Sequence, residues 1–332
     1  MRMEMSHSER VRSTLRGEET DRAPISLWRH WPYHDETSEG LAAATLQWQR
    51  TYDFDLVKVM PTGTYSIEDW GGRTKYTPNA MGTRTVFRYG VTSANSWPHL
   101  EQLDVTKGYL GIQIDAVRLI AEEIRGSVPV LMTIFSPLTT AFKLAGDRVF
   151  AHLRLCPDLL RSGLQIIAEV TARLAMESIR AGADGLFFAT QCASYRLLNT
   201  AEYQEFGELY DRIVLDAVRP EAEILLLHAH GHDVMFDLLT GYPVDAINWH
   251  DRTAGPSLEA AQKRFAGMLV GGINEWLTLL EGSPADIQAE VANAIFQTGS
   301  RRLMIGPGCV IPINTPAHNV RAAREVVCPA PH

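Results

Sequence analysis

Eight short apolar runs recur along the chain, each closing on polar or turn residues and each followed by a stretch with helical spacing. They are Pro24–Arg29, Leu56–Met60, Val128–Phe135, Gly185–Thr190, Glu223–His230, Ala246–Asp251, Met268–Asn274 and Arg302–Val310. Candidate helices fall near 35–50, 109–125, 157–181, 200–218, 232–240, 257–265, 284–298 and 316–327. Two carry start signals: Asn199-Thr200 offers a capping side chain, and Ser283-Pro284 places proline in a first turn. Eight alternating β and α units are the count of a (β/α)8 TIM barrel, an α/β fold that often exceeds about 250 residues as one unit. The 332 residues are therefore expected to form one domain, 1–332. A doubly wound sheet is the runner-up, but Gly71-Gly72 and Gly271-Gly272 lack the GxGxxG spacing it would want.

One segment interrupts the alternation. Residues 61–108, rich in Thr, Gly, Pro and Tyr, read as a hairpin-bearing insertion between strands 2 and 3, lying over the C-terminal face of the barrel and walling its pocket. The charge balance is 31 basic against 39 acidic residues, with no basic block. That leaves no electrostatic footprint for nucleic acid or an anionic membrane. No stretch approaches the ~20 apolar residues of a membrane span, and the N-terminus lacks a signal-peptide core, so a cytoplasmic protein is expected.

In a barrel the strand C-termini converge on one mouth. The residues there are Arg29 and His30, Thr62, Ser136, Thr190 and Gln191, His228 and His230, His250 and Asp251, Asn274 and Glu275, and Cys309. His228 and His230 stand two apart on a strand, so they share a face and can approach one ion. Cys309, in the flexible GPGCVIP turn, is a candidate third ligand, and three protein ligands with one open position is the catalytic zinc pattern. A strand-end histidine is also often a hydrogen-bonded structural group, so residue type leaves both readings open. His232 is read as a helix cap or a supporting group. Cys156 and Cys192 are read as inert, and Cys328 as incidental. The Trp249-His250-Asp251-Arg252 cluster offers an imidazole beside a carboxylate and a guanidinium, suited to a general base or a substrate clamp, or to a surface ion-paired turn. Arg29 lies in an aromatic run, Leu27 to Tyr33.

Taken in order, the motifs ERVRSTLRGEETDRAPISLW, GADGLFFA followed by TAEYQEF, HAHG, LVGGINEWLTLLEGSPADI and GCVIPINTPAHNVRAA resemble the uroporphyrinogen decarboxylase superfamily over nearly the whole chain. The resemblance implies a (β/α)8 barrel. The decarboxylases have an RxxxR pair near the N-terminus, where Arg29 matches the first arginine and Tyr33 stands at the second. Their aspartate has no counterpart in Met60–Tyr65, their tyrosine none in SPLTTAFK, and Cys309 replaces their late histidine. The zinc- and cobalamin-dependent methyltransferase branch instead has an HxC pair and a late cysteine. His228 and Cys309 match it, and His230 stands in place of its first cysteine.

What the resemblance implies is zinc on His228, His230 and Cys309 and methyl transfer to or from a corrinoid carried by a separate protein. It further implies a catalytic role for Arg29, His250 and Asp251, substrate contacts from Arg29, His30, Tyr33, Thr190, Gln191 and Asn274, and a homodimer. The alternatives are a decarboxylase or lyase acting on a small or tetrapyrrole carboxylic acid, and a non-catalytic tetrapyrrole-binding protein.

Overall fold

The structure is a computed structural model that describes residues 4–327; Cys328 lies outside them. Its strands are β1 (Val57–Val59), β2 (Arg73–Tyr76), β3 (Arg84–Arg88), β4 (Val130–Phe135), β5 (Gly185–Thr190), β6 (Ile224–Ala229), β7 (Ala246–Trp249), β8 (Met268–Ile273) and β9 (Leu303–Pro307). Seven of these form one curled parallel sheet in the order β1, β4, β5, β6, β7, β8, β9, and β2 pairs with β3 as an antiparallel hairpin. Every residue of β4, β5, β6 and β8 is buried. This is why they read as unbroken apolar runs rather than as alternating ones: parallel strands are covered on both faces.

The expected first strand, Pro24–Arg29, is corrected to a bridging segment. It forms a single β-bridge, Ile25 to Ile305. On one side Ser26 N donates to Ile305 O (3.0 Å) and Ile305 N to Pro24 O (2.8 Å); on the other Asp55 N donates to Ile25 O (2.9 Å). Ser26 Oγ also donates to Leu56 O (2.7 Å). The segment thus touches both edges of the seven-stranded sheet. A regular ladder is prevented because Pro24 has no N–H and because Ile25 N donates to the Asp55 carboxylate (2.8 Å) instead of a strand.

Helices cover the outer face. The anticipated starts are present: Asn199 and Ser283 each accept from the backbone three residues on, in full capping boxes. Two anticipated helices shrink, 232–240 to Phe236–Leu239 and 257–265 to Leu258–Gln262, and 200–218 is interrupted by a π-turn at Gln204–Glu208. His7–Arg16, Pro137–Ala145 and Arg148–Leu155 are helices that the strand-helix count did not include. Within 61–108 the β2–β3 hairpin is held by Ile313 N donating to Ala80 O (2.7 Å) and by the Arg84–Glu36 ion pair (2.8 Å). Among the described residues no helix is long and apolar enough to cross a membrane.

Candidate metal centre

The parallel register sets four side chains at one level. His228 pairs with Asn248 across β6 and β7, and β8 and β9 end side by side. The chain therefore leaves β6 at His230, β7 at His250 and β9 at Cys309 within a small volume. One donor atom from each of His228, His230, His250 and Cys309 lies within 4.8 Å of all the others. Cys309 Sγ is 3.7 Å from His228 Nε2 and 3.5 Å from His230 Nδ1, and His250 Nε2 is 3.4 Å from His230 Nδ1.

Groups behind the imidazoles decide which nitrogen faces inward. Asn248 is fully buried, and its Nδ2 donates to Val270 O (2.9 Å) and Pro307 O (3.0 Å). Its Oδ1 is therefore the atom 2.6 Å from His228 Nδ1, which must be the donor, leaving the Nε2 lone pair toward Cys309. Glu275 Oε1 sits 3.0 Å from His250 Nδ1 and leaves His250 Nε2 toward His230 in the same way.

The electrostatics follow from this packing. Burial alone would raise the Cys309 thiol, but His230, His228 and His250 hold it well below the usual thiol range. Burial likewise pulls His250 down, yet Cys309 and Glu275 outweigh it and push it up to about 10. His228 is lowered, chiefly by burial. The cluster thus pairs a Cys309 thiolate with a His250 that holds its proton, and sulfur with imidazole nitrogen is a soft donor set.

The sequence matches the uroporphyrinogen decarboxylase (URO-D) family over residues 6–328. The chain belongs to the uroporphyrinogen decarboxylase family. Within this enzyme family it sides with the methyltransferases. It is 23% identical to the methylcobamide:CoM methyltransferase MtbA of Methanosarcina mazei, over 97% of each sequence. A solved methyltransferase structure from the same organism superposes with a TM-score of 0.85 at 20% identity, covering 97% of this chain and 98% of that one. The uroporphyrinogen decarboxylase of Bordetella pertussis is 31% identical over a shorter stretch, 67% of this chain and 65% of that one.

For a uroporphyrinogen decarboxylase family member, the remaining expected site residues scatter. Asp251 turns away from His250: its carboxylate accepts from Gly272 N (3.1 Å) and packs against Gly271. Burial pushes it up to about 7. Asn274 Oδ1 caps the next turn, accepting from Trp276 N and Leu277 N. Thr190 is buried on Tyr203 OH (3.1 Å), and Gln191 N donates to Thr139 Oγ1. His30 is buried, with Nδ1 unpartnered.

Arg29 lies over Trp31 (4.7 Å) and donates to Ile313 O (2.8 Å). With the exposed Tyr33 it lines a groove of about 570 Å³ that none of the four cluster residues touches. The groove offers open space, but the convergent donors are the stronger chemical signal. His232 is exposed, and Cys192 is a buried thiol pushed up to about 12 by burial, consistent with an inert residue.

Sequence reading did not single out Asn248 or Lys58. Both had a visible sign, since each is a polar residue inside an otherwise apolar strand, in AINW and LVKVM.

Proposed function

We propose that this chain is a zinc-dependent methyltransferase that moves a methyl group to or from a corrinoid carried by a separate protein. The observation that carries the reading is the donor spacing. Zinc held about 2.05 Å from nitrogen and about 2.3 Å from sulfur sets tetrahedral edges of about 3.4 Å between nitrogens and about 3.6 Å between nitrogen and sulfur. The contacts here are 3.4 Å, 3.5 Å and 3.7 Å. His228, His230 and Cys309 would hold the ion, and His250 stands close enough to offer a fourth donor. Bound there, zinc supplies Lewis acidity that lowers the pKa of a substrate donor atom.

The chain's own residues do the rest. Asn248 fixes His228 in the tautomer that presents Nε2, and Glu275 does the same for His250 by accepting from its Nδ1. A single thiolate among imidazoles leaves a divalent ion with net positive charge, which favours an anionic acceptor at the open position. The hairpin of 61–108 walls the approach on the side of His30 and Ile313, where Gly82 packs against both. Likeness to the methylcobamide:CoM methyltransferases supports this reading.

Metal analysis of protein purified without chelator tests it. About one zinc per chain is expected, lost in His228→Ala and Cys309→Ser. Metal-free wild-type protein would sink the mechanism. Likeness to the Bordetella pertussis decarboxylase favours a second reading, decarboxylation of a carboxylic acid, and lyase activity that survives chelation would select it.

A further inference from the structure

Lys58 is the one charged residue of an apolar run, and it is buried at the centre of β1. Its Nζ stands 3.6 Å above the Phe187 ring centroid and 5.0 Å from that of Trp28. The Phe187 ring in turn stacks on His228 at 5.5 Å. One aromatic side chain therefore touches both the buried ammonium and a candidate zinc ligand.

Among the described residues no carboxylate pairs with Lys58. The only group that favours its charge is the Cys309 sulfur, and burial pushes it down to about 7. The Lys58 ammonium in turn helps burial lower His228 and His30, the latter also buried and with Nδ1 unpartnered. Attraction to an aromatic face offsets only part of the cost of desolvating an ammonium. With a metal on the Cys309 sulfur, Lys58 would have no compensating anion among the described residues.

We propose that Lys58 is the anchor for the anionic head group, a carboxylate or a sulfonate, of a small substrate whose reacting atom lies at the His/Cys cluster. The head-group contact stands on Lys58 alone, while its meaning for catalysis rests on the zinc reading. The anion supplies the carboxylate-like partner that Lys58 lacks among the described residues, and Phe187 sets its distance from His228.

Calorimetric titration of the full-length protein, as purified and after chelation, tests this at a pH below the Lys58 value of about 7. The probes are propionate, ethanesulfonate and uncharged propionamide. The wild type is expected to bind at least one of the two anions about ten- to hundred-fold more tightly than the amide, the usual strength of a charge-assisted hydrogen bond. Which anion binds identifies the head group. K58M is expected to lose that preference and K58R to keep it.

An anion preference that persists in K58M, or a wild type that binds the amide as well as either anion, overturns the proposal. The wild-type comparison decides alone should K58M fail to fold. If the preference appears only with zinc and survives K58M, the anion sits on the metal, and the Lys58 role fails while the zinc reading stands. If wild-type protein holds no zinc but K58M abolishes the preference, the reverse is true.

Discussion

Asp55 and Lys58 are three residues apart on the same stretch of chain, and both are buried charged groups, yet their surroundings are opposite. Asp55, just before β1, accepts from Arg10 (2.7 Å), Arg22 (2.6 Å), His7 (2.8 Å) and Ile25 N (2.8 Å). Arg10 is itself held by both Asp21 oxygens. Burial would raise the Asp55 carboxyl, but these partners hold it well below the usual range. Toward the C-terminal end, Lys58, His30 and Asp251 sit at values moved toward the neutral form by burial. The N-terminal end of the sheet uses buried charge to hold the chain together. At the C-terminal end Lys58, His30 and Asp251 are left under-compensated beside a cluster that pairs its own charges, which is how barrels divide stability from chemistry.

The largest expected effect comes from breaking the paired end. Asp55→Ala leaves Arg10 and Arg22 without their shared carboxylate and should cost about 3–5 kcal/mol, the usual result of removing one partner of a buried pair. Chemical denaturation measures it. Because the folded pKa of Asp55 is depressed, its contribution is present above the ordinary carboxylate value of 3.8 and is lost as pH falls through the lower folded value. A loss below about 1 kcal/mol would show that the N-terminal network is no more than a surface arrangement.

The next effect comes from Asp211, buried beside the end of β5. Its Oδ2 accepts from Tyr203 OH (2.8 Å) and Tyr242 OH (2.9 Å), and Tyr203 OH reaches Thr190. Its Oδ1 has no partner. Burial pushes the carboxyl from 3.8 up to about 7. A raised carboxyl means that the folded protein keeps a proton the unfolded chain releases. The stability that the proton provides is whole below 3.8 and is lost as pH rises to about 7, on the order of 2–4 kcal/mol. Asp211→Asn keeps an acceptor for both tyrosines and should flatten the decline in urea midpoint across that window. It will not abolish it, because Asp35 and Asp251 are also pushed up to about 7. An unchanged slope would remove Asp211 from the group of under-compensated charges.

The same contrast explains what was legible in the sequence. Strands β4 to β9 stand where their apolar runs place them, because burial on both faces leaves a continuous signal. The run at Pro24 carries the same signal but not the same structure, since its hydrogen bonding is redirected by a buried acid thirty residues away that local pattern does not register. Helix Pro137–Ala145 was lost for a local reason: Ser136-Pro137 is a good start, with Ser136 Oγ accepting from Thr139 N, but it follows a strand without a break. At the site, His228, His230 and Cys309 are close because strand ends converge. His250 and Asp251 look like a pair in sequence and diverge in space, His250 toward His230 and Asp251 toward Gly272. Asn248 escaped notice because its value lies in three hydrogen bonds to partners on three other strands or strand ends, and spacing encodes none of them.

The smallest expected effect is the sharpest test of the contrast. Lys58→Met keeps the unbranched stem over Phe187 and removes only the ammonium. At the N-terminal end, deleting a buried charge strands its partners. Here no acid is left behind, and the folded protein no longer carries a cation whose pKa has dropped from 10.5 to about 7. The sign follows from that drop: the unfolded chain holds the proton more tightly, so Lys58 lowers stability increasingly as pH falls from 10.5 toward 7 and by a constant amount below it. Lys58→Met should therefore change unfolding stability by less than about 1 kcal/mol at pH 7, or raise it, since exchanging an uncompensated buried ion for an apolar side chain of similar volume is neutral to favourable. The gain should fade in alkaline buffer, where the lysine is neutral in both states. A loss of about 3 kcal/mol or more, equal to that of Asp55→Ala, would mean that Lys58 is a structural cation with a partner in the fold and that the two ends do not divide their tasks.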